Sequence, residues 1–207
     1  MLTRIQAIKN LQEYKWDSLL KWAKYFWITV FKNWKQNKGW KWLVLERLAW
    51  LENNNEKAPN WLWFELKSVS FKKLRNWEIV PKETMAITMI NPQELIDTPD
   101  FYKSHLWEKL KSLVFCAVLW TEENQEDSIL LDVTSFDFLN DGNLIKEIEQ
   151  DYNFIRQKLI EDWFENLTWK YWKRIQPRTK WAGHGSISRA FYARKKLVQI
   201  IFNFDNK

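Results

Sequence analysis

The sequence predicts one mixed α/β domain, residues 1–207, with a small sheet flanked by helices. Three observations carry that prediction. The length fits a single core at ~100–200 residues per domain. The composition, 46% apolar and 28% charged with mean hydropathy −0.51, is that of a globular chain that folds by itself. Finally, stretches with helical spacing alternate with short runs that read as strands, and there are no internal repeats or low-complexity linkers.

Taken in order, Asp17 to Phe26 reads as a helix, with Leu19, Leu20, Ala23 and Phe26 at helical spacing and Asp17 as N-cap. A second helix runs from Trp40 to Leu51. Leu62–Val69 and Thr84–Ile90 read as strands, with Arg75-Asn76-Trp77-Glu78 as a hairpin turn between them. Ser104–Leu113 is helical, Leu113–Leu119 reads as a buried strand, and Ser128–Leu131 as a short edge strand. Leu144 to Phe164 forms a long amphipathic helix, with Ile145, Ile148, Tyr152, Ile155 and Leu159 on one stripe. The last helix is placed at Ser188–Ile201.

The composition bounds the function. The longest apolar run, Leu113 to Trp120, is far too short for the ~20 residues of a membrane span. Arg4, Lys9 and Lys15 interrupt the N-terminal stretch, so it does not read as a secretory signal. Cys116, the one cysteine, sits inside the apolar run as a buried inert thiol, and with only two histidines no zinc site of soft ligands can be assembled. A cytoplasmic location is expected. The formal net charge is +6 and unevenly spread. No Asp or Glu occurs from Asn166 to Phe204, where Lys170, Lys173, Arg174, Arg178, Lys180, Arg189, Arg194, Lys195 and Lys196 fall. Such asymmetry suits a polyanion, DNA or RNA above all. One further feature is abnormal: the chain has 4 glycines and 16 tryptophans, where average usage gives ~14 glycines. Tight turns and helix ends need residues free to take positive φ, so other residues must be filling those positions.

The chemistry centres on Phe64-Glu65-Leu66-Lys67. In a strand alternate side chains share a face, so Glu65 and Lys67 point together while Phe64 and Leu66 enter the core. A carboxylate that ligates Mg²⁺ through oxygen, beside an ammonium that orients or deprotonates a water, suits metal-assisted phosphodiester hydrolysis. The triplet alone is weak evidence, because most such triplets are surface charges. Its context is a preceding helix with Glu46, an Ala58-Pro59-Asn60 turn leading in, and the basic C-terminal segment.

At this point the sequence resembles the MutH DNA nickases and their restriction-endonuclease relatives, within the PD-(D/E)xK nuclease superfamily. The resemblance is carried in order by Asn37-Lys38-Gly39-Trp40-Lys41-Trp42, Leu45-Glu46, Phe64-Glu65-Leu66-Lys67-Ser68, Ser104 to Lys111, Gln176-Pro177-Arg178-Thr179-Lys180 and Arg189 to Lys195. It implies a restriction-endonuclease-like fold whose two lobes hold duplex DNA in a cleft, and Mg²⁺ as cofactor. It also implies roles: Glu46 as the helix carboxylate completing the metal site, Glu65 as the strand ligand, Lys67 as the catalytic lysine. Lys38 and Lys109 are similar to active-site or phosphate-contacting lysines of the family. Arg178 and Lys180 match a DNA-contacting loop, Tyr192 matches a tyrosine near the bases, and Arg189 belongs to the same basic segment. His184, in Gly183-His184-Gly185-Ser186, reads as part of a DNA-contacting loop, since no nucleophile-elbow motif accompanies it.

The sequence departs from the family pattern at one ligand. The family has Asp a few residues before its E-x-K, whereas here the nearest position is Asn60, whose amide can ligate Mg²⁺ but brings no charge. Three functions follow as expectations: a type II restriction endonuclease with a cognate methyltransferase, a mismatch-repair nickase with a MutL-type partner, and a DNA-binding protein impaired in catalysis. The tryptophan excess also finds a reading. Trp27, Trp42, Trp50, Trp63, Trp172 and Trp181 fall where the resembled family has glycine, and Trp77 follows Asn76 where Asn-Gly is the favoured turn. The expectation is a codon rendered as tryptophan but read as glycine in the source, with Trp22, Trp40 and Trp107 as genuine tryptophans.

Overall fold

The computed structural model describes residues 2–32, 35–37, 39–51, 64–121, 128–164, 171–180 and 188–204. Its elements are α1 (Arg4–Gln12), α2 (Leu19–Tyr25), β1 (Phe31–Lys32), β2 (Lys35–Gln36), α3 (Trp40–Leu48), β3 (Glu65–Lys73), β4 (Ile79–Pro81), β5 (Met85–Met89), α4 (Pro92–Asp97), α5 (His105–Ser112), β6 (Leu113–Leu119), β7 (Ile129–Thr134), α6 (Gly142–Asp162), β8 (Ile175–Thr179), β9 (Arg189–Ala193) and α7 (Lys195–Phe202). Among the described residues no helix is long and apolar enough to cross a membrane. The chain divides into two compact units, one of residues 1–83, 112–136 and 201–207, the other of residues 84–111 and 137–200.

The first unit is built on a mixed four-stranded sheet in the order β4-β3-β6-β7. β3 and β6 are parallel, with Glu65 opposite Leu113 and Phe71 opposite Leu119; β4 and β7 are antiparallel edges. The apolar run of the sequence is β6, buried on both faces, which is why it shows no alternation. α1, α2 and α3 contribute Ala7, Leu11, Leu19, Ala23, Val44, Leu45 and Leu48 to a core shared with Phe64, Leu66, Val114 and Cys116. Phe71, Phe115 and Phe202 pack edge to face in the same unit. Cys116 is fully buried, and burial first, then the nearby Asp132 carboxylate, pushes its thiol up to about 12, so it is inert as expected.

The second unit holds a three-stranded antiparallel sheet, β5-β9-β8. The long helix α6 supplies Tyr152, whose ring packs against Phe101 and Phe191 and whose hydroxyl donates to the Thr98 carbonyl at 2.6 Å. Its stripe of Ile145, Ile148, Tyr152, Ile155 and Leu159 is buried as the periodicity predicts.

Several elements differ from the sequence reading. The first helix is α1, starting with the Thr3 and Gln6 capping box, a legible signal that the hydrophobic pattern did not bring out. The cap of α2 is Ser18, not Asp17, because Asp17 instead accepts from the Trp22 indole at 2.8 Å. The Arg75–Glu78 turn joins β3 to β4, whereas the expected partner strand, now β5, pairs with β9 in the other unit. The Ser188–Ile201 helix is two elements: Arg189–Ala193 pairs on both sides as the central strand β9, and only Lys195–Phe202 is helical. Cross-strand pairing overrides the helix-compatible pattern there.

Candidate active site

β3 is positioned by its neighbours. Parallel pairing to the buried β6 and the insertion of Phe64 and Leu66 into the core leave Glu65 and Lys67 on the opposite, half-exposed face. Lys67 Nζ lies 2.5 Å from Glu65 Oε1, so the two form an ion pair between alternate positions of one strand. The shared face expected of the triplet is therefore present.

α3 packs on β3 through Val44, Leu45 and Leu48, and it carries Glu46 into a buried position. The Glu46 carboxylate takes no hydrogen bond or ion pair from the described residues. Burial pushes its pKa up to about 7, against the opposing pull of the adjacent Arg47 charge. A buried carboxyl that the described residues leave without a partner calls for a cation or a proton. Its oxygens, like those of Glu65, are hard donors of the kind Mg²⁺ takes. Among the described residues no group of three or more His, Cys, Asp or Glu side chains forms a complete cage. Asn60, Lys38 and His184, and with them Trp63 and Trp181, lie outside the described residues.

Lys109 is half-buried on α5 in the second unit, where its helix leads directly into β6. The remaining basic positions gather on the β8-β9 hairpin. Ile175 and Pro177 point inward, which turns Arg178 outward. Its guanidinium lies 5.4 Å from the Tyr192 ring centroid and donates to Thr84 Oγ1 at 2.7 Å. An arginine held beside an aromatic ring with one fixed hydrogen bond loses less freedom on meeting a ligand. Arg189, opposite Thr179 in the ladder, donates to the Thr179 hydroxyl and lies 5.6 Å from the Phe164 ring. Lys180 follows β8, and its backbone N–H donates to the Ser188 carbonyl at 2.9 Å.

Two positioning residues were missed in the sequence. Thr84, which holds Arg178, had no signal beyond its place at the head of a strand. Asp151 is a buried carboxylate on α6 that accepts the backbone N–H groups of Lys173, Arg174 and Ile175 at 3.0, 2.6 and 2.9 Å, tying the start of β8 to the helix. Burial raises its pKa, and the three N–H donors oppose that. Its sequence signal was a charge interrupting the apolar stripe of a helix, next to Tyr152.

A search of curated protein sequences gives no match. The family model of MutH, described as DNA mismatch repair enzyme MutH, matches residues 49–151. That span contains β3 with Glu65 and Lys67, Asn60 and Lys109, and leaves Glu46 and the β8-β9 hairpin outside it. This match, over the mixed sheet that bears the Glu65 and Lys67 pair, supports a MutH-like nuclease of the restriction-endonuclease-like superfamily.

Proposed function

We propose that this chain is a sequence-specific, Mg²⁺-dependent endonuclease hydrolysing phosphodiester bonds in duplex DNA, and specifically a type II restriction enzyme. The observation that carries the reading is the Glu65 and Lys67 ion pair on one face of β3, with Glu46 buried on the helix that packs against the same strand. Glu46 and Glu65, with Asn60 as a neutral third donor, would hold the metal. Bound there, Mg²⁺ supplies Lewis-acid polarisation of the phosphate and charge neutralisation. The protein's own part is positioning and proton handling. Lys67 faces the scissile phosphate, trades its ion pair for a phosphate oxygen, and orients the attacking water. As the new P–O bond forms and the bridging P–O bond breaks, water loses one proton and the leaving alkoxide gains one. The basic hairpin with Arg178, Lys180, Arg189 and Tyr192 would hold the duplex. Phosphate contacts position it, and a guanidinium at a base edge specifies sequence.

A second reading is a MutH-type repair nickase working with a MutL-type partner, and the family description favours it. The two share every residue named above. Supercoiled plasmid with Mg²⁺ separates them: linear product supports the restriction enzyme and open circles the nickase. A mobility shift with no cleavage leaves DNA binding alone, the third function expected from Asn60.

A further inference from the structure

The tryptophan excess has a backbone counterpart that neither the family nor the nuclease reading absorbs. Among the described residues eight that are not glycine have positive φ, and five of them are tryptophans: Trp16 at 71°, Trp27 at 57°, Trp50 at 64°, Trp77 at 71° and Trp163 at 46°. Ser128, Phe164 and Asn203 make up the rest. A bulky L-residue is a poor occupant of the left-handed region, because its Cβ crowds the following carbonyl. Neither Gly39 nor Gly142 adopts it.

The hydrogen bonds around these tryptophans identify the motifs. After α2, the Ile28 N–H donates to the Ala23 carbonyl at 2.8 Å and the Trp27 N–H to the Lys24 carbonyl at 3.2 Å. After α3, the Leu51 N–H donates to the Glu46 carbonyl at 2.9 Å and the Trp50 N–H to the Arg47 carbonyl at 3.0 Å. Both are Schellman closures, with tryptophan at the position that glycine ordinarily fills. At the turn from β3 to β4, the Trp77 N–H donates to the Leu74 carbonyl at 3.0 Å and the Leu74 N–H to the Glu78 carbonyl at 2.9 Å. That is a three-residue loop ending in a G1 bulge, whose left-handed residue is again characteristically glycine. Trp163 is the left-handed C-cap of α6, and Trp16 follows the turn after α1.

The side chains bury little to offset the conformation; the Lys73 ammonium, 3.5 Å from the Trp77 ring centroid, makes an exposed cation–π contact. All five indoles are largely exposed, Trp27 to 92%. Trp40 and Trp107 are the opposite case: they lie within α3 and α5, with 1% and 7% exposure, and their rings are core. Trp42 and Trp172, read as glycine positions on family grounds, are not among the positive-φ residues, and Trp172 is buried against Phe154. Backbone geometry therefore sorts the tryptophans differently from the family comparison, adding Trp16 and Trp163.

We infer that Trp16, Trp27, Trp50, Trp77 and Trp163 are glycine in the protein as its source makes it, the codon at these positions being read there as glycine, while Trp40 and Trp107 are tryptophan. The standard code has one tryptophan codon, so the gene should use a different triplet at the five positions from the one at Trp40 and Trp107. The deciding measurement is peptide mass analysis of the protein purified from source cells. Glycine at all five with tryptophan at 40 and 107 is the expected result; tryptophan at any of the five overturns the assignment. A recombinant comparison tests the physical premise separately. W16G/W27G/W50G/W77G/W163G should raise the folded-to-unfolded ratio by about tenfold or more in urea titrations, whereas Trp40→Gly should lower it. A fivefold variant no more stable than the tryptophan form overturns the claim that these turns are built for glycine.

Discussion

Lys67 Nζ and Glu65 Oε1 are 2.5 Å apart on the half-exposed face of β3. A partly exposed pair of this kind contributes at most about 1 kcal/mol to folding. Its value is in placing an ammonium and a carboxylate at one point of a strand whose other face is locked into the core. Lys67→Ala should therefore abolish cleavage while stability changes little and specific DNA binding stays within about tenfold. Plasmid cleavage alongside a gel-shift titration measures both. Cleavage near the normal rate in the Lys67→Ala protein would remove the lysine from the chemistry. Glu65→Ala should also abolish cleavage, through weakened metal binding.

Glu46 makes a pH prediction whose sign can be worked out. Its folded pKa of about 7 lies above the ordinary 4.5, so the native state prefers it protonated. The associated stability is complete below pH 4.5 and is lost as pH rises through 7. Replacing the carboxyl by a neutral amide removes the loss. Glu46→Gln should match the parent in urea unfolding near pH 4 and exceed it by about 1–3 kcal/mol at pH 8. Added Mg²⁺ should reverse the order by raising the parent's melting temperature far more than that of Glu46→Gln. Identical stability profiles across this pH range would show that the Glu46 carboxyl is not under desolvation stress.

Much of this site was readable from residues alone, and the reasons are local. The shared face of Glu65 and Lys67 follows from the period of a strand, and the burial of β6 from an uninterrupted apolar run. What stayed hidden depended on distant partners. Arg189–Ala193 is a strand because β5 and β8 lie on either side of it, and nothing within those five residues says so. Likewise Thr84 meets Arg178 across 94 positions of sequence, and Asp151 reaches Lys173 across 22. The left-handed tryptophans show the converse: composition announced too few glycines, but only φ identified Trp16 and Trp163 among the positions that need one.

Arg178 tests recognition. Its guanidinium is fixed by Tyr192 and Thr84 on the outward face of β8. If it reads a base edge, Arg178→Ala should cost about 1–3 kcal/mol on the cognate duplex and relax sequence preference. Equal losses on cognate and random duplexes would make it a phosphate contact. Thr84→Val keeps the shape but removes the hydrogen bond, and should cost about 1 kcal/mol of the same cognate binding, leaving Lys67-dependent cleavage intact at saturating DNA.

Asp151 provides a prediction of stability in the second unit. Asp151→Ala leaves three backbone N–H groups at the start of β8 without their acceptor, so it should destabilise the protein by about 2–4 kcal/mol in urea unfolding. Asp151→Asn keeps one acceptor oxygen and should recover part of that loss. If both variants unfold at the parent's midpoint, the carboxylate is not what holds β8 to α6.

Asn60 is the place where this sequence departs from the acid its family resemblance leads one to expect before Glu65. In the proposed site a neutral amide oxygen can ligate Mg²⁺, but it leaves Glu46 and Glu65 to balance the charge, and burial leaves Glu46 only partly ionised around pH 7. Asn60→Asp adds a third carboxylate, so the Mg²⁺ concentration for half-maximal cleavage should fall, with the largest gain below pH 7 where Glu46 is protonated. The titration belongs in the W16G/W27G/W50G/W77G/W163G protein, so that strained turns, including the one that ends α3 just after Glu46, do not distort the comparison. An unchanged metal requirement across pH 6 to 8 would exclude Asn60 from the ligand set and leave the two carboxylates to hold the ion.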